Sequence, residues 1–220
     1  MPKLTFEGRV APHRCGKILC IGSNYALHAA EMSSPLPVEP LIFLKPSSAL
    51  ISCNETVVLP PQSQEVHHEV ELVVLIVRSG KNIDRRDALD FVGGYAVGLD
   101  MTARDLQTKA KAKGKPWSVA KGFDTFAPVG DFAAASTIED PQKLEISLTV
   151  DGTVRQRGST KDMVFSVAEL VSFCSSIFSL EPGDLIYTGT PAGVGPVTDG
   201  DLIVASITGL PELRVDVRRI

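Results

Sequence analysis

The run His67-His68-Glu69-Val70-Glu71-Leu72-Val73-Val74-Leu75-Ile76 constrains the fold of this chain more than any other stretch. From Leu72 onward it is β-branched or leucine, which predicts a strand entering a core. Side chains two apart on a strand share a face, so Glu69 and Glu71 stand side by side at the mouth of an apolar segment. Like charges that close repel, and burial adds a desolvation cost. A divalent cation that prefers hard oxygen ligands is the simplest way to offset both. Asp100 is a candidate third carboxylate, at the end of the apolar run Tyr95-Ala96-Val97-Gly98-Leu99. Plainer readings exist for each. Glutamates flanking a strand serve as solvated edge residues or salt-bridge partners, and Asp100 suits a turn or a helix N-cap.

The chain has 220 residues, 44% of them hydrophobic, and a formal charge of −4. That length suits one domain spanning 1–220 with residues 1–16 as a short β-rich lead-in, and it supplies enough apolar material for a sizeable core. No basic patch with interleaved aromatics predicts nucleic-acid binding. No apolar stretch approaches membrane-spanning length. Met1-Pro2-Lys3-Leu4-Thr5-Phe6-Glu7 lacks a signal-peptide core and an arginine-rich presequence, so the expectation is cytoplasm. Cys15, Cys20, Cys53 and Cys174 form no Cys-x-x-Cys pair and read as reduced, mostly core residues. Of His67 and His68 only one can face the glutamates, and His67 has the right parity.

Strand-like segments dominate. Lys17–Gly22, Leu41–Pro46 and Val57–Pro61 are extended, and a brief helix lies between Ser23 and Pro40. Asp84–Val92 reads as a helix capped by Asp84 and broken by Gly93-Gly94, and Thr102–Lys113 as a second helix. Leu144–Val150, Asp151-Gly152 and Thr153–Gln156 carry hairpin chemistry, because Asp-Gly supplies positive φ. Ser166–Leu180 has apolar residues at helical spacing, a stripe that belongs to a core. Few helices and local connections predict an α+β fold on a mixed, curled sheet rather than a doubly wound one.

Several polar residues stand out against this frame. His28 and Glu31, three apart on a short helix, share a face; such a pair can deprotonate water, or it is an ordinary ion pair. Arg104 and Gln107 are also three apart, just after Asp100, and suit a substrate carboxylate and carbonyl. Lys109, Lys111, Lys113 and Lys115 follow them as a solvated basic face. Lys121 sits in the apolar setting Trp117-Ser118-Val119-Ala120-Lys121-Gly122, where a lysine near a metal stabilises a developing enolate. Lys45 has a similar setting with a strand-end role open to it. Tyr187–Pro196 is glycine-rich but lacks Gly-Lys-Ser/Thr and a following helix, which rejects a Walker motif. Its backbone N–H groups and the Thr190 hydroxyl suit a small anion, and a tight turn is the alternative.

Taken in order, these pieces resemble the fumarylacetoacetate hydrolase family, in its short branch of acylpyruvate hydrolases and oxaloacetate decarboxylases. The motifs are Gly22-x-Asn24-Tyr25-x-x-His28-x-x-Glu31, Phe43-x-Lys45-Pro46, His68-Glu69-x-Glu71-Leu72, Gly94-Tyr95-x-x-x-x-Leu99-Asp100-x-Thr102-x-Arg104-Asp105, Lys121-x-Phe123-Asp124 and Thr188-Gly189-Thr190-Pro191-x-Gly193-Val194-Gly195. The resemblance implies the family's mixed β-roll with few peripheral helices, and a homodimer. It implies a Mg²⁺ or Mn²⁺ site of Glu69, Glu71 and Asp100, and a lid carrying His28 and Glu31 that orders over substrate. Arg104, Gln107, Lys121 and Thr190 line the pocket in this reading, with Lys45 beside them. The substrates it implies are 2,4-dioxo acids, cleaved to pyruvate and a carboxylic acid. Oxaloacetate decarboxylation, keto–enol tautomerisation, and isomerase or hydratase chemistry on 2-oxo-dienoates are the alternatives. Many members carry arginine where this chain has Ser23, which puts the preferred acyl group in doubt.

Overall fold

Residues Val70–Ile76 are buried without exception and form a central strand of a six-stranded mixed sheet. A strand covered on both faces has to be apolar throughout, and this one is after Glu71. The computed structural model describes residues 4–10, 14–32 and 34–219. The sheet runs Ala133–Ala134, Val92–Leu99, Val70–Ile76, Leu185–Tyr187, Ile18–Gly22, Leu41–Lys45. Its neighbours are antiparallel except Leu185–Tyr187 beside Ile18–Gly22, which is parallel. A second sheet of five strands runs Thr153–Ser159, Glu145–Val150, Leu202–Ile207, Leu213–Arg219, Thr56–Leu59, with its last pair parallel. A three-stranded sheet sets Val66–His68 between Thr102–Ala103 and Gly195–Val197. The fold is α+β, as expected. These two parallel pairs, and a third between Ala127–Pro128 and Leu50–Ile51, join segments far apart in sequence, so the connections are less local than the sequence suggests.

Among the described residues four α-helices decorate the sheets: α1 (Ala26–Glu31), α2 (Arg104–Ala112), α3 (Ser118–Lys121) and α4 (Val167–Ile177). Helix α4 buries Val167, Leu170, Val171 and Cys174 of the apolar stripe read from sequence, while Ile177, read with them as core, is 50% exposed at the helix end. Ser166 and Glu169 close a capping box at its start, satisfying two otherwise orphaned backbone donors. The Asp151-Gly152 turn has φ of 50° and 75°, as its hairpin role requires.

Two expectations need correction. Asp84–Val92 is not a helix: the segment holds only a 3₁₀ turn over Ala88–Phe91. The Asp84 carboxylate is taken by Arg86, whose backbone N–H donates at 2.9 Å and whose guanidinium also binds it. Nor do Gly93 and Gly94 break an element, since both lie inside the Val92–Leu99 strand. A Cβ at Gly93 would stand 2.2 Å from Val77, and one at Gly94 2.5 Å from the Ala133 carbonyl. Close approach of neighbouring segments selects glycine at both positions. Of the lead-in, residues 1–3 and 11–13 lie outside the described residues; Thr5–Phe6 and Arg9–Val10 pair antiparallel.

Candidate active site

Glu69 occupies the single position between the Val66–His68 and Val70–Ile76 strands, and Glu71 follows on the same face. Asp100 ends the neighbouring Val92–Leu99 strand, and its N–H donates to the Glu69 carbonyl at 2.9 Å. Strand pairing therefore fixes all three carboxylates in one place. One oxygen from each lies within 4.8 Å of the others, and all three residues are buried. That is a span one ion bridges.

Three cations face this trio, and each is bonded several times over. Lys121 donates to Glu69 Oε2 at 2.8 Å, Asp100 Oδ2 at 2.5 Å and Thr102 Oγ1 at 2.6 Å. Arg104 binds Glu69 through Nη2, Gln107 Oε1 through Nη1 at 2.5 Å, and His67 Nδ1 through Nε at 3.4 Å. Lys45 donates to the carbonyls of Met101, Lys121 and Phe126 at 3.0, 2.5 and 2.9 Å. An ammonium has three protons, so although Lys45 Nζ lies 2.7 Å from Asp100 Oδ1, it has none left for that oxygen. Asp100 Oδ1 is accordingly a buried acceptor without a donor. Among the described residues no lysine or arginine pairs with Glu71. Its Oε2 accepts only the Gly189 N–H, at 2.7 Å.

The electrostatics divide the pair. Burial pushes the Glu69 carboxyl up, but Lys121, Arg104 and His28 together outweigh it and hold the pKa well below the usual range. Burial and the charges of Asp100 and Glu69 push Glu71 well above that range, despite the Gly189 amide. Lys121 stays an ammonium: burial lowers its pKa, but Asp100 and Glu69 raise it more. A buried donorless oxygen on Asp100 and an unpaired carboxylate at Glu71, in an all-oxygen set, fit a hard divalent cation.

His28 lines the cleft above the trio, together with Ile21, Ser23, Met32, Phe43, Trp117 and Thr190. Its Nδ1 meets Glu31 Oε2 at 3.1 Å, which leaves Nε2 for the cleft. Glu31 also accepts the Gly193 N–H at 3.1 Å, and Asn24 anchors the start of α1 through hydrogen bonds with Phe165 and Thr188. The cleft is narrow, with about 30 Å³ open to water-sized molecules.

Most residues singled out from sequence meet here. Gln107 and Arg104 are buried on one face of α2. His67, not His68, bonds Arg104, as strand parity predicts. The glycine loop differs in one respect: the anions its Gly189 and Gly193 amides meet are the protein's own Glu71 and Glu31. Lys45 does not border the cleft and sits beneath Asp100 as a fixed charge. Lys111, grouped by sequence with the solvated lysines, also borders the cleft mouth.

Gln156 escaped the sequence reading. Its Oε1 accepts from Val70 N and His68 Nδ1, and its Nε2 donates to Thr190 Oγ1 and the Pro191 carbonyl. It ties the glutamate strand to the glycine loop, yet it sits between two arginines in a mostly exposed strand that gives no local signal. The four cysteines are free, and burial pushes the Cys15 and Cys174 thiols up to about 12, so neither is a reactive thiolate.

Residues 17–218 match the family "Fumarylacetoacetate (FAA) hydrolase C-terminal". The chain belongs to the fumarylacetoacetate hydrolase family. It is 51% identical over 203 residues to the mitochondrial oxaloacetate tautomerase FAHD1 of Arabidopsis thaliana, covering 92% of this chain and 91% of that one. It is 48% identical over 195 residues to the mitochondrial oxaloacetate decarboxylase of Dictyostelium discoideum, covering 88% and 89%. A crystal structure of fumarylpyruvate hydrolase from Pseudomonas aeruginosa, in complex with Mn²⁺ and pyruvate, superposes with a TM-score of 0.95 at 42% identity, covering 99% of this chain and 96% of that one. The fold expected from the resemblance is therefore the fold observed.

Proposed function

We propose that this chain is a Mg²⁺- or Mn²⁺-dependent hydrolase that cleaves the C3–C4 bond of 2,4-dioxo acids. Its substrates are acylpyruvates such as fumarylpyruvate or acetylpyruvate, and its products pyruvate and a carboxylic acid. One observation carries the reading: His28, backed by Glu31, lines the same cleft as Glu69, Glu71 and Asp100. The manganese and pyruvate bound to the Pseudomonas relative support it.

In this reading Glu69, Glu71 and Asp100 would hold the cation, which would supply Lewis-acid chemistry to a 2-oxo acid. Arg104 fixes Gln107 by its Oε1, so the amide's NH₂ end and Thr190 are left to orient the substrate. His28 Nε2 takes a proton from water, and Glu31 stabilises the imidazolium. The water oxygen bonds to C4, the C3–C4 bond breaks, and its electron pair becomes the pyruvate enolate. In this reading the Lys121 ammonium, which lines the same cleft, offsets that negative charge. Return of the proton to C3 completes the products. We infer that residues 1–220 act as one catalytic domain, in a homodimer, in the cytoplasm; none of the described helices is long and apolar enough to cross a membrane.

A second reading has its own support. Relatives named for oxaloacetate are 45–51% identical to this chain, and oxaloacetate offers the same 2-oxo acid head. Tautomerisation needs only proton transfer at C3, and decarboxylation needs no attacking water.

The test is turnover of acetylpyruvate, fumarylpyruvate and oxaloacetate with added Mg²⁺ and with EDTA. Acylpyruvates should yield pyruvate plus acid, and EDTA should stop the reaction. His28→Ala should lower their cleavage about 10²- to 10⁴-fold while sparing more of any decarboxylation. Undiminished acylpyruvate cleavage in His28→Ala would remove the water-activating role. Oxaloacetate tautomerisation with no acylpyruvate cleavage would favour the second reading.

A further inference from the structure

Four cations border the carboxylate trio or its cleft, and three of them are spent. Lys45 has given its protons to three carbonyls, Lys121 to Glu69, Asp100 and Thr102, and Arg104 is bonded through every nitrogen. Lys111 is different. It lines the same cleft, and among the described residues its ammonium has no ion-pair or hydrogen-bond partner. The Trp117 ring lies beside it, with its centroid 5.2 Å from Nζ. A contact of that kind holds an ammonium in place without neutralising it.

Helix geometry explains why Lys111 reaches the cleft. Arg104, Gln107 and Lys111 stand at i, i+3 and i+7 on α2, hence on one face. Two turns of helix put Lys111 about 10 Å outward from Arg104. Side chains on a helix tilt towards its N-terminus, so the long stem leans back over the opening. Trp117 and Phe43, packed edge-to-face at 5.6 Å, and Met32 give the same cleft an apolar lining. The cleft is thus acidic at its base, apolar along its wall and cationic at its rim.

We propose that Lys111 is a specificity-determining residue that receives a second carboxylate at the far end of the substrate, so that the site prefers 2-oxo dioates to 2-oxo monoacids of equal length. The inference rests on the 2-oxo acid reading above and deepens it: fumarylpyruvate and oxaloacetate carry that second carboxylate, and acetylpyruvate does not.

Two unreactive probes separate the contributions. 2-Oxoadipate and 2-oxohexanoate share the 2-oxo acid head and the six-carbon chain and differ in the terminal carboxylate. Their binding to the Mn²⁺-loaded protein is measured by calorimetry at low and high NaCl. The wild type should bind the dioate about fivefold more tightly at low salt, the scale of one partly solvated ion pair. That ratio should shrink as salt screens the rim charge. Lys111→Met should bring the ratio close to one, and Lys111→Arg should keep it. An unchanged ratio in Lys111→Met, or no preference in the wild type, overturns the proposal. Failure of both probes to bind overturns it together with the 2-oxo acid reading. A preference that follows Lys111 in a protein that turns over neither acylpyruvate nor oxaloacetate upholds the proposal and sinks only the reaction.

Discussion

Glu31 and Gly193 meet although 162 positions separate them: the Gly193 N–H donates to the Glu31 carboxylate at 3.1 Å, while the same carboxylate engages His28 Nδ1 at 3.1 Å. Helix α1 has six residues, too few to be stable alone, and Leu27 on its outer side is 75% exposed. The contact with the glycine loop is therefore part of what holds α1 over the cleft. Gly193 has φ of 97°, and a Cβ there would stand 2.4 Å from the Arg155 carbonyl. Gly193→Ala must shift the loop and release Glu31. Steady-state kinetics should show kcat/KM for an acylpyruvate falling about 10- to 100-fold, with Mn²⁺ affinity close to wild type. Equal loss of both would mean that the loop supports the trio rather than α1.

Lys121 neutralises two carboxylates that a cation would otherwise hold. Lys121→Met leaves Glu69 and Asp100 short of their buried partner, a loss of about 3–5 kcal/mol in the metal-free protein. Thermal unfolding with and without Mn²⁺ should show a lowered Tm for the metal-free variant and a larger metal-induced gain than in wild type, with turnover reduced. A smaller gain than wild type would show that Lys121 helps to build the metal site.

The start of α4 gives the pH dependence with the clearest sign. Ser166 hydrogen bonds hold the Glu169 carboxyl below its usual pKa, outweighing the opposing effect of burial. The folded pKa is lower than the unfolded one. The contribution is therefore complete above the unfolded value of about 4.3 and disappears as pH falls through the folded value. Ser166→Ala should cost about 1 kcal/mol in urea unfolding at pH 7. The cost should shrink once the pH drops below Glu169's folded pKa; a constant cost across that range would rule out the carboxylate's part in the cap.

What the sequence displayed follows from the range of each signal. Glu69 and Glu71 were legible because strand parity is a two-residue property, and His28 with Glu31 because a helical face is a three-residue one. Asp100 was reachable because an apolar run ends on it. Gln156 and Trp117 were not, because they meet partners from distant segments, whereas Lys111 shares the Arg104–Gln107 face at helical spacing, a signal hidden by the exposed lysines around it. Gln156 becomes important only when Thr153–Ser159 lies beside the glycine loop. Asp84–Val92 misled for a local reason: its capping residue pairs with Arg86 and the segment ends in a single 3₁₀ turn. The parallel pairing of Leu185–Tyr187 with Ile18–Gly22 has no trace in either segment's own pattern.

The central claim is that Glu69, Glu71 and Asp100 hold one divalent cation, and direct Mn²⁺ binding tests it. Calorimetry on dialysed protein should give one Mn²⁺ per chain, with affinity weakened at least about tenfold in both Glu71→Gln and Asp100→Asn, the loss of one charged ligand in three. Mn²⁺ affinity in those variants equal to wild type, in proteins that remain folded, would contradict the account.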